Sequence, residues 1–147
     1  MKVVIQRSKE ASVKVNNKLI NKIDFGYVIL VGFSTYDTEE DLKYLVKKIV
    51  NLRVFDDENG IMNKSIIDVN GNILSISQFT LQASTKKGNR PSYDQALNGD
   101  EALKLYNSFN KMLNEYVTTY EGAFGCDMQV SLLNDGPVTI IIDSKNK

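Results

Sequence analysis

Two stretches of this chain gather side chains and backbone suited to chemistry. Ser75-Ile76-Ser77-Gln78-Phe79-Thr80-Leu81 runs out of an apolar segment into hydroxyls, an amide and a ring, and Asn134-Asp135-Gly136-Pro137-Val138-Thr139 separates two apolar runs with a Gly-Pro step. The alternation in the first predicts a strand that turns Ile76 inward and the Ser75 and Ser77 hydroxyls outward, followed by Gln78, Phe79 and Thr80. A strand end of this kind suits a pocket in which backbone N–H groups and hydroxyls hold a polar ligand against an aromatic face. It also fits an edge strand whose Ser and Thr satisfy neighbouring backbone. Gly136-Pro137 reads as a turn, and the prior for an X-Pro bond favours trans.

The absence of histidine narrows the chemistry most. It removes Ser-His-Asp and Cys-His mechanisms, histidine-ligated zinc and a histidine general base. An enzyme made of this chain works with backbone groups, hydroxyls, carboxylates or groups of the substrate, and no cofactor or metal is expected. The single cysteine, Cys126, allows no internal disulfide and fits a reducing compartment. Without an activating partner it is expected to be a small buried residue rather than a nucleophile. Asp56-Asp57-Glu58-Asn59-Gly60 resembles a calcium loop, but Gly60 in the sixth position would put Phe55 in the first ligand position, so a hairpin turn is expected instead. With 18 basic and 18 acidic residues the chain has no overall grip on nucleic acid. Lys86, Lys87 and Arg90 are nevertheless close together just after the first stretch, either as a solvated loop or as a phosphate contact beside a pocket.

Ser77-Gln78-Phe79-Thr80-Leu81, Lys87-Gly88-Asn89-Arg90-Pro91-Ser92-Tyr93, Phe124-Gly125-Cys126-Asp127-Met128-Gln129-Val130 and Asn134-Asp135-Gly136-Pro137-Val138-Thr139 together resemble the D-aminoacyl-tRNA deacylase family in matching order. Val4-Ile5-Gln6-Arg7 and Lys48-Ile49-Val50-Asn51-Leu52-Arg53 extend the likeness over nearly the whole chain. The resemblance implies hydrolysis of the ester of D-aminoacyl-tRNA in the cytoplasm, with glycyl-tRNA an open second substrate. It further implies a homodimer with a three-layer fold, a 2′-hydroxyl of the terminal adenosine that helps activate water, and a cis Gly136-Pro137 bond that enters the partner's site as a chirality filter. For such an ester, backbone N–H groups around Gln78, Phe79 and Thr80 could face the oxyanion, and the Thr80 hydroxyl could position ester or water. Ser77 opens that wall. Thr80 as a covalent nucleophile is weaker, lacking an adjacent base. A non-catalytic dimeric module binding an RNA end or nucleotide is the alternative function. Neither membrane nor DNA is an expected partner.

The elements that must position these groups follow from periodicity. Strands are expected over residues 2–7, 11–15 and 18–23, the last two joined at Asn16-Asn17, and Gly26 to Phe33 reads as a central strand buried on both faces. Thr38 and Asp41 form a capping-box start for a helix over 39–52, with Leu42, Leu45, Val46, Ile49 and Val50 on one stripe. Asn70-Gly71 predicts a turn with positive φ at both residues, launching a strand over 73–79. Residues 82–99 form a long connection. Asn98 and Glu101 cap a second helix over 100–116, whose stripe is Ala102, Leu105, Phe109, Met112, Leu113 and Tyr116. The remainder predicts strands over 118–121, 128–133 and 138–143. With 147 residues, 42% hydrophobic and 24% charged, the expectation is one domain over residues 1–147, an α/β fold of mixed, largely antiparallel sheets with two main helices. No run is apolar for long enough to span a bilayer.

Overall fold

The computed structural model describes residues 1–147. Its elements are β1 (Lys2–Val15), β2 (Lys18–Ile23), β3 (Gly26–Gly32), α1 (Glu39–Asn51), β4 (Phe55–Asp56), β5 (Met62–Lys64), β6 (Asn72–Ser77), a 3-10 turn (Phe79–Gln82), α2 (Gly99–Asn114), β7 (Thr119–Glu121) and β8 (Gln129–Asp143). The main sheet has the order β2-β1-β3-β6-β7, with β8 on the other side of β1, while β4 and β5 form a separate hairpin. β1 is antiparallel to β2, β3 and β8, whereas β3–β6 and β6–β7 are parallel. The mixed, largely antiparallel α/β expectation holds.

β1 is the strand around which the layers divide. Its first half, Lys2 to Ser8, pairs with β3, and its second half, Ala11 to Val15, pairs with β2 through the Asn16-Asn17 turn, where φ is 49° and 63°. Along β3, Tyr27, Ile29 and Val31 join Val3 and Ile5 under the helices, in the larger apolar cluster with Leu45, Ile49 and Phe109. Val28, Leu74 and Ile76 point the other way, against Ala11, Val13 and Ile23. The sheet therefore curls its β1–β2 end over the face opposite the helices, and Asn21 Nδ2 donates to Glu121 O across the curl. Three layers result. Both faces of β3 and β6 are dry, as parallel neighbours usually require.

The helices begin where their caps fall. In α1 the Thr38 backbone N–H and hydroxyl both donate to Asp41 Oδ2, at 2.9 and 3.0 Å, and in α2 Asn98 Oδ1 accepts from Glu101 N at 3.1 Å. The α2 face that packs inward is Ala102, Tyr106, Phe109, Asn110 and Leu113, and Tyr116 is 59% exposed beyond the helix end. Truncating a fully buried ring such as Phe109 to alanine would cost about 3–5 kcal/mol.

Several elements differ from the expectation. β1 is one strand of 14 residues and β8 one of 15, because the β1–β8 ladder absorbs register shifts between Gln6 and Ser8 and between Ser8 and Ala11. Bulges of this kind let both strands run through polar residues and through Gly136-Pro137. β6 ends at Ser77, so Phe79 lies in the 3-10 turn and not in a strand. Only Asn70 of the Asn70-Gly71 pair has positive φ, at 51°. Ser75 is fully buried rather than facing out, since both sheet faces are covered. Cys126 is exposed, held in a tight turn beside Gly125.

Candidate active site

β3 and β6 run parallel, so their carboxyl ends open on one edge, where ligand crevices form in such sheets. A cavity of about 570 Å³ lies there. Its walls are Val31 to Phe33, Ile76 to Phe79, the start of α2 at Leu97, Gly99 and Ala102, and the segment Phe124 to Met128 with Val130. The lining is mainly apolar. Its only ionisable groups are the Cys126 thiol and the Asp127 carboxylate, and Asp127 Oδ2 accepts from Gln129 Nε2 at 3.3 Å.

The wall formed by Ser77, Gln78 and Phe79 is fixed from below. Gln78 N donates to Val31 O at 2.7 Å, and the buried Gln82 amide donates to Gly32 O at 2.8 Å. Gly32 is needed at this crossing because a Cβ there would lie 2.6 Å from Gln78 O. A 3-10 turn leaves its leading N–H groups without acceptors inside the turn. Here Gln78 N–H is already taken, so only those of Phe79 and Thr80 remain from the three expected as oxyanion donors. Gln78 Nε2 donates to Thr80 Oγ1. Thr80 is exposed and stands just outside the cavity lining. The Phe79 ring, 58% exposed, meets the Tyr93 ring edge-on with centroids 5.1 Å apart.

Behind the wall, Tyr106 OH donates to Ser75 O at 2.7 Å, and Gly122 N donates to the same carbonyl at 2.9 Å. Burial raises the Tyr106 pKa above its usual value, which keeps the hydroxyl protonated and donating. The Tyr106 ring also packs on Phe124, centroids 5.6 Å apart, so one tyrosine braces two cavity walls. Tyr106 stands at helical spacing from Ala102 and Phe109, and the signal that could have found it is that spacing, which the expected stripe passed over in favour of Leu105.

Gly136 and Pro137 are elsewhere. Both are exposed, their peptide bond is cis, and neither lines the cavity of its own chain. What holds them is Arg7, which is buried. Its Nε donates to Asp135 O at 3.1 Å and its Nη1 to Val54 O at 2.8 Å, with Asp135 Oδ2 and Asp56 Oδ1 each 3.3 Å from the guanidinium. Asn134, its amide nitrogen turned toward Arg7 O and Val138 O at 3.1 Å, closes the same knot. Arg7 was missed as a site residue because a lone arginine in an alternating strand carries no spacing signal. Lys86, Lys87 and Arg90 are exposed on the loop between Ser84 and Ser92, away from the lining. No group of three or more Cys, Asp and Glu side chains is arranged to hold a metal ion.

Residues 4–143 match the family described as D-Tyr-tRNA(Tyr) deacylase. The chain belongs to that family. Members are hydrolases of the ester bond of D-aminoacyl-tRNA, and this deacylase has the tRNA-linked ester as its substrate. A solved structure described as "c-Myc DNA Unwinding Element Binding Protein" is 44% identical, covers 97% of this chain and 98% of its own, and superposes with a TM-score of 0.93. One described as "Structural Analysis of a probable eukaryotic D-amino acid tRNA deacylase" is 17% identical over 96% of this chain and 97% of its own, with a TM-score of 0.82, and shares the fold. No helix is long and apolar enough to cross a membrane.

Proposed function

We propose that the cavity at the carboxyl ends of β3 and β6 is where this deacylase hydrolyses D-aminoacyl-tRNA, with Ser77, Gln78, Phe79 and Thr80 as its reacting wall. The observation that carries this reading is the pair of N–H groups on Phe79 and Thr80, left without acceptors in their turn at the rim of an apolar cavity. Donors fixed in this way stabilise the negative charge that develops on an ester carbonyl oxygen. Thr80 Oγ1, restrained by Gln78, positions the ester or the attacking water. Water adds to the carbonyl carbon, the bond to the ribose oxygen breaks, and that oxygen leaves with a proton. The water's proton passes through the neighbouring ribose 2′-hydroxyl of the substrate, a route that fits a chain without histidine.

Gly136 and Pro137 act, in this reading, from a second copy of the chain. They lie outside the cavity of their own chain, and β8 is an open edge of 15 residues with Leu133 54% and Ile141 70% exposed, which supports pairing into a homodimer. A backbone wall without a Cβ at Gly136 admits the Cα–H and amino group of a D-residue and collides with an L side chain. Lys86, Lys87 and Arg90 meet phosphates of the tRNA, and the enzyme works in the cytoplasm. The direct test is turnover. Sub-stoichiometric protein should release free tRNA from D-tyrosyl-tRNA over many cycles, whereas a module that only binds the RNA end would protect the ester.

A further inference from the structure

The Phe79–Tyr93 pair has a feature that packing does not use. Both rings are in contact, yet Phe79 is 58% and Tyr93 38% exposed. Phe79 lines the cavity and Tyr93 does not, so Tyr93 carries the aromatic surface one ring outward from the rim. Immediately before Tyr93 lies the foot of the basic loop, where Ser84 N donates to Ser92 O at 2.8 Å and Ser92 N to Ser84 O at 2.9 Å. That clasp closes the loop that carries Lys86, Lys87 and Arg90 around Gly88, and the chain leaves it directly into Tyr93. Each of the three is exposed and none is in an ion pair, Asp94 being the one carboxylate adjoining in sequence.

We infer that Tyr93 is a stacking platform for the base of the nucleotide that precedes the terminal adenosine of the substrate. The inference rests on the reading that the terminal adenosine end occupies the cavity. Single-stranded RNA is held by this combination, bases on aromatic faces and the backbone beside unpaired cations, and such stacking tolerates any base. The occupant is therefore the unpaired 3′ end of an aminoacylated tRNA. Alternatively the pair would serve only to brace Phe79 through an edge-to-face contact.

The experiment compares D-tyrosyl-tRNA with D-tyrosyl-adenosine, an ester that carries the terminal nucleoside and nothing before it. For each protein the ratio of the two kcat/KM values is taken, which cancels any change in the reacting wall. Tyr93→Ala should lower that ratio roughly five- to a hundredfold, the worth of one base stacked on an aromatic ring. Tyr93→Leu, which keeps apolar bulk but has no π face, should lower it similarly, with the loss in KM for the tRNA, and Tyr93→Phe should restore it. A ratio unchanged in both Tyr93→Ala and Tyr93→Leu would overturn the inference, whether the two rates hold or fall together. Parent protein that turns over neither ester would refute the active-site reading itself.

Discussion

Replacing Arg7 by lysine probes the link between the main sheet and the Gly136-Pro137 segment. The guanidinium donates to two backbone carbonyls on different elements, Asp135 O and Val54 O, and stands 3.3 Å from the carboxylates of Asp135 and Asp56. Lysine keeps the charge, but its donors radiate from one compact ammonium on a differently shaped stem, so it is expected to lose one of the two carbonyls that the Nε and Nη1 arms of the planar fork reach. Leaving the other buried carbonyl without its donor costs about 1–3 kcal/mol. Asp56 is 52% and Asp135 28% exposed, so weakening those ion pairs adds no more than about 1 kcal/mol together. The sum, roughly 1–4 kcal/mol, corresponds to a fall of about 3–12 °C in Tm for a chain of this size. Thermal melting by circular dichroism reads it directly. Because Asp135 O is the carbonyl just before Gly136, the freed segment should also lose discrimination, so D- over L-tyrosyl-tRNA selectivity falls in protein that is still folded. An Arg7→Lys variant that melts within about 2 °C of the parent and keeps full selectivity would refute the reasoning.

Gly136→Ala should reduce turnover on every substrate: φ is +122° there, and an added Cβ would lie 2.8 Å from Val138 Cγ2 and 3.1 Å from Arg7 Nη2. Unchanged kcat/KM in a folded variant would count against a role for that wall. Thr80→Ala should slow D-tyrosyl-tRNA hydrolysis by roughly ten- to a hundredfold without abolishing it, since the backbone donors survive, and an acyl-enzyme trapped on Thr80 would contradict this. Burial raises the Asp41 carboxyl, but Lys145 Nζ at 2.7 Å and the Thr38 N–H and hydroxyl more than offset this and hold it well below its ordinary range. A depressed folded-state pKa contributes stability that is present above the unfolded value near 4 and lost as pH falls toward the folded one. Between pH 7 and pH 3 the parent's urea midpoint should therefore drop more than that of Asp41→Asn, and equal drops would show that the pair with Lys145 does not matter.

Helices and their starts were legible because two local signals agree, an apolar stripe at helical spacing and a capping pair at Thr38–Asp41 and Asn98–Glu101. The central strand was legible because Gly26 to Gly32 is apolar on both faces. The long strands were not. Ser8-Lys9-Glu10 and Asn134-Asp135-Gly136-Pro137 look like breaks in isolation, and only the β1–β8 ladder, with its shifted register, carries both chains through. Ser75 is buried against the expectation because alternation presumes one wet face, whereas the helices cover the face that Ser75 shares with Ile73 and β1 and β2 cover that of Leu74 and Ile76. Residue types single out Ser77 to Thr80, of which Ser77, Gln78 and Phe79 line the cavity, but the loss of Gln78 N–H to Val31 O is a tertiary fact. The brace by Tyr106 and the clamp by Arg7 likewise join residues 31 and 128 positions apart, beyond any local pattern. Cys126 was expected inside, and the Gly125 turn puts it at the cavity wall.

The central claim is that a cavity without histidine hydrolyses an aminoacyl ester and chooses by chirality. It is tested most directly by measuring deacylation of D-tyrosyl-tRNA and L-tyrosyl-tRNA side by side, with the same tRNA, at sub-stoichiometric enzyme. The account predicts rapid release of free tRNA from the D-ester and release from the L-ester no faster than its spontaneous hydrolysis. Equal rates on the two esters would contradict it.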